Sequence, residues 1–397
     1  MYVKSRNIGL DVVRSIAILM VLVCHILMWT STLYKNLYEE FNVSFAALSR
    51  LGWMGVEIFF VLSGFLIGKI FIEEFVINFN GSSRATLAKF YARRWFRTLP
   101  MYYLILVINI MLLLNTFPQA DKSVFFQESA SYFLFLQNFF GMAELAGVTL
   151  MAVSWSLVLE EWFYLLFPLF IVSLRKFSRN FNHNKFFKFL IAFIIVISIL
   201  RIFYVFFIDS RFASVTAMIF LRLDTFAIGI LFAYLHSFLP DFYEKLTRKR
   251  FFAVSIIFII LSYFLALYFN TNFFVKTLLF TALPLAIAVF ISFLEKNMTR
   301  YSKTAELTSK ISYSLYLIHV PVLSSFLVPY TYVLMDKTVR IPIFINIIIF
   351  FTVIYLVAML FYRYYEKPMM NLRDSKPVKY LIRRLKSKNV AENTSYS

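Results

Sequence analysis

Apolar runs recur along the chain, broken by short polar or basic stretches. Many are about 20 residues long, the length a helix needs to cross a bilayer. The pattern predicts ten spanning helices, over 8–30, 52–74, 97–115, 153–174, 187–208, 216–238, 250–268, 275–294, 311–332 and 342–363. The expected fold is an all-α polytopic membrane helix bundle. Segment 116–152 is the longest connection on its side. Within it Tyr132–Phe140 (YFLFLQNFF) is apolar but too short to span, and reads as a re-entrant or interfacial segment. No internal repeat and no second soluble domain is visible. The expected division is a transmembrane domain over 1–370 and a basic-to-polar cytoplasmic tail over 371–397, disordered at its end.

Composition agrees with that picture. Of 397 residues 61% are hydrophobic and 15% charged, with 50 Phe and 24 Tyr; water-soluble domains carry more charge. A net charge of +19 would suggest nucleic acid in a soluble protein, but its placement decides otherwise. An even number of spans puts both termini on one side. The segments on that side, with Lys188 and Arg250 at their edges, hold 27 Lys and Arg, whereas the opposite loops hold seven: Lys35, Arg50, Lys122, Arg211, Lys276, Lys337 and Arg340. The positive-inside rule then makes both termini cytoplasmic. The basic excess marks topology and contact with anionic membrane lipids, with no nucleic-acid partner expected. Cys24 is the single cysteine, so neither an intramolecular disulfide nor a thiolate metal cluster is available. The first apolar segment is long, holds Asp11 and Arg14 and lacks a small-residue cleavage site, so no cleavable signal peptide is expected.

Ionisable side chains inside the spans carry the next signal, because lipid tolerates them only against a protein interior or a polar cavity. Arg14 and His25 lie eleven residues apart in the first span. They fall on nearly one helical face, roughly 16 Å apart along the axis. Counting rise per residue places His25, Glu57, Glu160 and Asp224 in an outer layer, with Arg201 and Arg222 at similar depth. Arg14, Lys69, Arg97 and His319 fall in an inner layer. Four such groups from four helices at one depth suggest a shared polar cavity. The plainer reading of Arg201 and Arg222 is helix packing through a partner, and of Lys69, snorkelling. At Ser63 and Gly64, Gly admits close approach of either a backbone or a thin ligand. His319 aligns with Ser312 and Tyr316, and either a structural hydrogen bond or ligand contact suits it. No metal-ligand set is expected: His183 and His236 lie near cytoplasmic edges, away from the carboxylates.

Seven segments in order resemble the acyltransferase 3 family of bacterial membrane acyltransferases. They are LDVVRSIAILMVLVCH (10–25), GVEIFFVLSGFLIGK (55–69), FYARRWFRTLPMYY (90–103), SWSLVLEEWFYLLFP (154–168), RLDTFAIG (222–229), ISYSLYLIHVPV (311–322) and YYEKP (364–368). Many relatives append an extracytoplasmic hydrolase-like domain, for which this chain ends too soon, so the expected protein lacks one.

The resemblance implies O-acyl transfer in the bacterial inner membrane, most often of acetyl from acetyl-CoA to a hydroxyl of a cell-envelope or secreted carbohydrate, with lipid-linked acceptors included. Arg93, Arg94 and Arg97, at the mouth of the third helix, are then expected to bind the donor phosphates, since guanidinium pairs phosphate bidentately. Positive-inside topology alone would also place arginines there. Tyr91 or Trp95 would stack on the adenine. Arg14, counted with the catalytic as well as the donor-binding residues, would bind the donor or hold a neighbouring carboxylate, and His319 would contact the donor. His25 would serve as general base or as a transient acyl carrier, oriented by a carboxylate, Glu160 first and Glu57 second. Ser156, Glu160 and Tyr164 share one face of the fourth helix, while Glu161 points about 100° away. O-antigen, capsule, exopolysaccharide and peptidoglycan all remain open as acceptors. The alternative class is a transporter or flippase, which more often shows inverted repeats or paired broken helices.

Overall fold

The structure, a computed structural model, describes residues 6–34, 45–77, 83–119, 121–140, 144–145, 148–178, 181–268, 272–327, 329–331, 342–382 and 384–385. Lys35, Lys337, Arg340 and the end of the tail lie outside these residues. The helices in chain order are α1 (Ile8–Leu33), α2 (Phe45–Phe71), α3 (Ser83–Thr116), α4 (Ser123–Phe133), α5 (Gln137–Phe140), α6 (Ser154–Phe177), α7 (His183–Phe207), α8 (Phe212–Ala217), α9 (Leu223–Phe238), α10 (Pro240–Leu246), α11 (Lys249–Leu267), α12 (Phe273–Asn297), α13 (Lys303–Val322), α14 (Ile343–Phe361) and α15 (Lys367–Leu372). Nine of them, among the described residues, are long and apolar enough to cross a membrane. The protein is therefore a multi-pass membrane helix bundle. Side-chain caps start four of these helices: Asn7 accepts from Leu10 N, Asn182 from Lys185 N, Asn272 from Val275 N and Ser302 from Ala305 N, each satisfying a backbone donor that has no partner inside the helix.

Three spans differ from the pattern-based expectation. The sixth, expected over 216–238, is the 16-residue α9, preceded by α8 and a 3₁₀ turn at Ile219–Leu221. The chain leaves the helical conformation at Met218 (ψ 117°), which sets Arg222 at the N-cap of α9 and Asp224 in its first turn. The third span begins at Ser83, not 97, so Arg93, Arg94 and Arg97 sit well inside a helix. The ninth begins at Lys303, not 311. That places His319 about 24 Å along α13, close to the roughly 26 Å of His25 along α1. Hydropathy alone missed these starts because the opening turns of α3 and α13 are polar.

The chain forms two compact units, Met1–Leu66 with Leu190–Met359 and Ile67–Phe189 with Leu360–Ser397. In the first, α1 lies along α12 and α13, α9 packs on α12, and α11 on α12. Here α2 crosses α9 at almost backbone contact. A Cβ on Gly64 would stand 2.1 Å from Phe226 O, and one on Gly229 2.2 Å from Val61 O. Close helix packing is thus what Gly64 provides. In the second unit α3 packs on α6 and α15, and Tyr91 Oη donates to Leu165 O at 2.9 Å.

The apolar stretch 132–140 is the end of α4, a turn and α5, followed by an antiparallel pair of two-residue strands, β1 (Glu144–Leu145) and β2 (Val148–Thr149). Phe135 in that turn has φ 56°, a conformation bulky residues rarely adopt. Bonds to α6 hold it: Trp162 Nε1 donates to Phe135 O at 2.8 Å and Asn138 Nδ2 to Trp155 O at 2.9 Å.

The backbone oxygens facing Gly64 and Gly229 cannot retreat. Gly64→Ala and Gly229→Ala should each destabilise the protein by about 1–3 kcal/mol. Thermal unfolding of the purified protein in detergent would show it, and an unchanged midpoint would contradict the contact.

Candidate active site

The seam between α1 and α13 carries most of the polar groups of the first unit. Asp11, buried near the start of α1, accepts from Arg6 Nε (2.5 Å), Arg6 Nη2 (2.7 Å) and Ser309 Oγ (2.7 Å). Arg14 Nη1 donates to Ser309 Oγ at 3.0 Å and stands 4.0 Å from Asp11 Oδ1. One turn away Ser15 Oγ bonds both Asp11 O (2.8 Å) and Ala305 O (3.0 Å). Two arginines therefore approach one carboxylate at this end of the seam. Arg6, Asp11 and Ser309 were not singled out from the sequence. The i, i+3 spacing of Asp11 and Arg14 was the available signal.

Eleven residues farther along α1 and ten along α13, His25 and His319 meet edge to face, ring centroids 4.8 Å apart and planes at 65°. Arg14 with Ser309 and His25 with His319 differ in offset by one residue, so α1 and α13 run parallel and nearly in step. The inner-layer depth expected for His319 is thus corrected. It started from a helix that began eight residues too late, and the two histidines lie at one level. His25 Nδ1 lies 2.9 Å from Val21 O, and His319 Nδ1 3.0 Å from Leu315 O. A carbonyl only accepts, so each Nδ1 carries the hydrogen, and a ring in its neutral form then presents Nε2 as a lone pair. The orienting acceptor on His25 is this backbone carbonyl, in the position expected for Glu160 or Glu57. His319 is fully buried, and its Nε2 has no hydrogen-bond partner among the described residues.

Glu57 is bound elsewhere. Its carboxylate accepts from Arg222 Nη2, and both side chains are fully buried. Arg201 binds Asp224 through two nitrogens, at 2.6 and 3.1 Å, and also reaches Thr281 Oγ1 and Leu221 O. The Arg222 guanidinium lies 4.2 Å from the Phe280 ring centroid. The outer layer of charges in this unit is thus two ion pairs rather than a shared cavity. Helix packing through partners is the role that Arg201 and Arg222 fill.

The second unit holds the remaining candidates. Glu74 pairs with Lys89 (2.6 Å) and with Arg93 (3.2 Å). The guanidinium groups of Arg94 and Arg97, both half-buried, make no hydrogen bond and no ion pair within 4 Å among the described residues, and Glu161 is a carboxylate that Arg94 interacts with electrostatically. Arg94 lies 4.9 Å over the Tyr164 ring, and Tyr164 Oη donates to Glu160 Oε1. Glu161 is the more buried of the two neighbouring carboxylates and takes a hydrogen bond from Thr98. The helical-wheel argument had set it aside. Tyr91 and Trp95 stack at 4.8 Å with an interplanar angle of 17°.

The acyltransferase-domain profile matches residues 7–371, and the chain belongs to the acyltransferase 3 family. It is 28% identical over 187 residues to the peptidoglycan O-acetyltransferase OatA of Listeria monocytogenes, covering 45% of this chain and 26% of that protein. It is 28% identical over 347 residues to the O-acetyltransferase OatA of Staphylococcus aureus, covering 81% of this chain and 51% of the other. The chain spans between about a quarter and a half of the length of these curated relatives. No solved structure matches it.

Removing one member of a buried ion pair strands the other. Glu57→Leu or Arg222→Leu alone should cost about 3–5 kcal/mol, and the double substitution much less than their sum. Unfolding midpoints of the four proteins in detergent check this, and additive losses would contradict the pairing.

Proposed function

We propose that the protein is a membrane O-acetyltransferase that takes the acyl group from acetyl-CoA and places it on a hydroxyl of a cell-envelope carbohydrate. The observation that carries this reading is the His25 ring, its Nδ1 hydrogen tied to Val21 O so that Nε2 is a base, in a chain of the acyltransferase 3 family. Peptidoglycan is the acceptor named for the relatives, which favours a glycan of that type over O-antigen or capsule.

His25 Nε2 removes the hydroxyl proton as the sugar oxygen attacks the thioester carbonyl. The new C–O bond forms and the C–S bond breaks, its electron pair leaving on sulfur. The proton then passes from the imidazolium to the thiolate. A general base of this kind contributes about 10²–10⁴-fold. Arg94 and Arg97 bind the donor phosphates, because they are half-buried cations and guanidinium matches phosphate. Arg93 is tied to Glu74 and contributes less. The stacked Tyr91 and Trp95 offer an aromatic face to the adenine. Arg14, at the Asp11 end of the α1–α13 seam, supports the anionic donor. Both termini and the donor arginines face the cytoplasm of a bacterial inner membrane, in keeping with the basic loops on that side.

His25→Ala should lower transfer about 10²–10⁴-fold with folding intact. Arg94→Ala with Arg97→Ala should raise the KM for acetyl-CoA at least roughly tenfold with kcat little changed. The measurements are CoA release by the purified protein, and mass spectrometry of envelope glycans from cells with and without it. No CoA release and no acetyl mass difference would contradict the reading and leave a transporter.

A further inference from the structure

Resting on the reading of His25 as the base, we propose that His25 and His319 act as a single base. The proton taken from the acceptor is held between their two Nε2 atoms.

Three observations lead there. The helices α1 and α13 run nearly in step, which brings the two rings to 4.8 Å. Each ring has its Nδ1 hydrogen committed to a carbonyl one turn back in its own helix. Two neutral rings so committed present two lone pairs, and lone pairs cannot bond to each other. His319 Nε2 is accordingly left without a partner in a fully buried position, an arrangement native proteins seldom keep without a use. One added proton resolves it. Protonated at Nε2, His25 becomes a donor, and the neighbouring ring, its centroid 4.8 Å away, carries an acceptor without a partner.

The surroundings offer no other stabiliser for the cation. Among the described residues no carboxylate pairs with or hydrogen-bonds either ring. The close neighbours are the Tyr316 ring at 5.9 Å from His319, Cys24 beside His25 on α1, and Gly52 on α2, where a Cβ would lie 4.0 Å from His25 Cε1. Glu57, Asp224, Arg201 and Arg222 are engaged with one another. In the reaction, the hydroxyl proton moves to His25 Nε2 and is shared with His319 Nε2 while the C–O bond forms and the C–S bond breaks. It then goes to the departing thiolate. His319 acts through His25 and is a positioning residue in that sense.

The test has two arms, both on the full chain in lipid bilayers. In the first, CoA release from acetyl-CoA is followed with a peptidoglycan-derived oligosaccharide as acceptor. His319→Leu should lower kcat roughly tenfold or more with the KM for acetyl-CoA unchanged, since a hydrogen bond to a charged group is lost. His319→Gln, whose amide oxygen can accept from the imidazolium, should recover part of it. An unchanged kcat in His319→Leu, or a loss confined to KM, would overturn the proposal. In the second arm, ¹⁵N-histidine solid-state NMR of the unsubstituted protein should show both neutral rings protonated at Nδ1. On acidification, one coupling through a shared proton should join the two Nε2 atoms. A neutral ring protonated at Nε2, or a protonated His25 uncoupled from His319, would overturn it. The second arm needs no turnover, so an inactive protein would sink the acyl-transfer reading while the proton sharing is still decided.

Discussion

An ionised group in an apolar helix bundle must find a partner, because removing a charge from water costs several kcal/mol even after relaxation. That constraint organises the first unit. Glu57 and Arg222 come from α2 and the start of α9, and Arg201 and Asp224 from α7 and α9; each joins a counter-charge before the bundle can close. The break in the chain at Met218 and the short α9 follow from placing Arg222 and Asp224 where those partners stand. Near-contact of α2 and α9 at Gly64 and Gly229 completes the same corner. What is left over after the pairing is informative: two histidines, and two arginines in the other unit with no ion pair within 4 Å among the described residues.

A histidine in its neutral form avoids the constraint. The helices of His25 and His319 supply the acceptor that fixes each ring, so no buried carboxylate is spent on orientation. A backbone carbonyl orients an imidazole without adding charge, and that leaves Nε2 of His25 able to accept a proton. The parallel run of α1 beside α13 links this base to the Arg6, Asp11, Arg14 and Ser309 cluster at the other end of one seam. A single pair of helices thus carries the Arg6, Asp11, Arg14 and Ser309 cluster and the two histidines about three turns apart.

Much of this was legible before any coordinates. The apolar runs define the bundle, and the motifs around Arg14 and His25, Glu57, Arg94 and Asp224 define the family. The pairing was not legible. Depth counted from hydropathy put Glu57 and Asp224 near His25 and took the layer for a cavity. Only three-dimensional packing shows that Arg222 and Arg201 neutralise them. His319 was set too shallow because the first turns of α13, KTAELTSK, are polar and look like loop. The same bias hid the first fourteen residues of α3 and with them the helical setting of the arginines. Glu161 was passed over because an angular argument places a side chain on a face but does not say which face is buried.

The central proposal is that this protein moves an acetyl group from acetyl-CoA on one side of a bilayer to a carbohydrate hydroxyl on the other. Its most direct test reconstitutes the purified protein in sealed vesicles, in one orientation, with ¹³C-acetyl-CoA on the side of the termini and a peptidoglycan oligosaccharide on the other. The account predicts labelled acetyl ester on the oligosaccharide and one CoA left behind for each ester formed. Label that never crosses, or ester formation that requires both substrates on the same side, would contradict it.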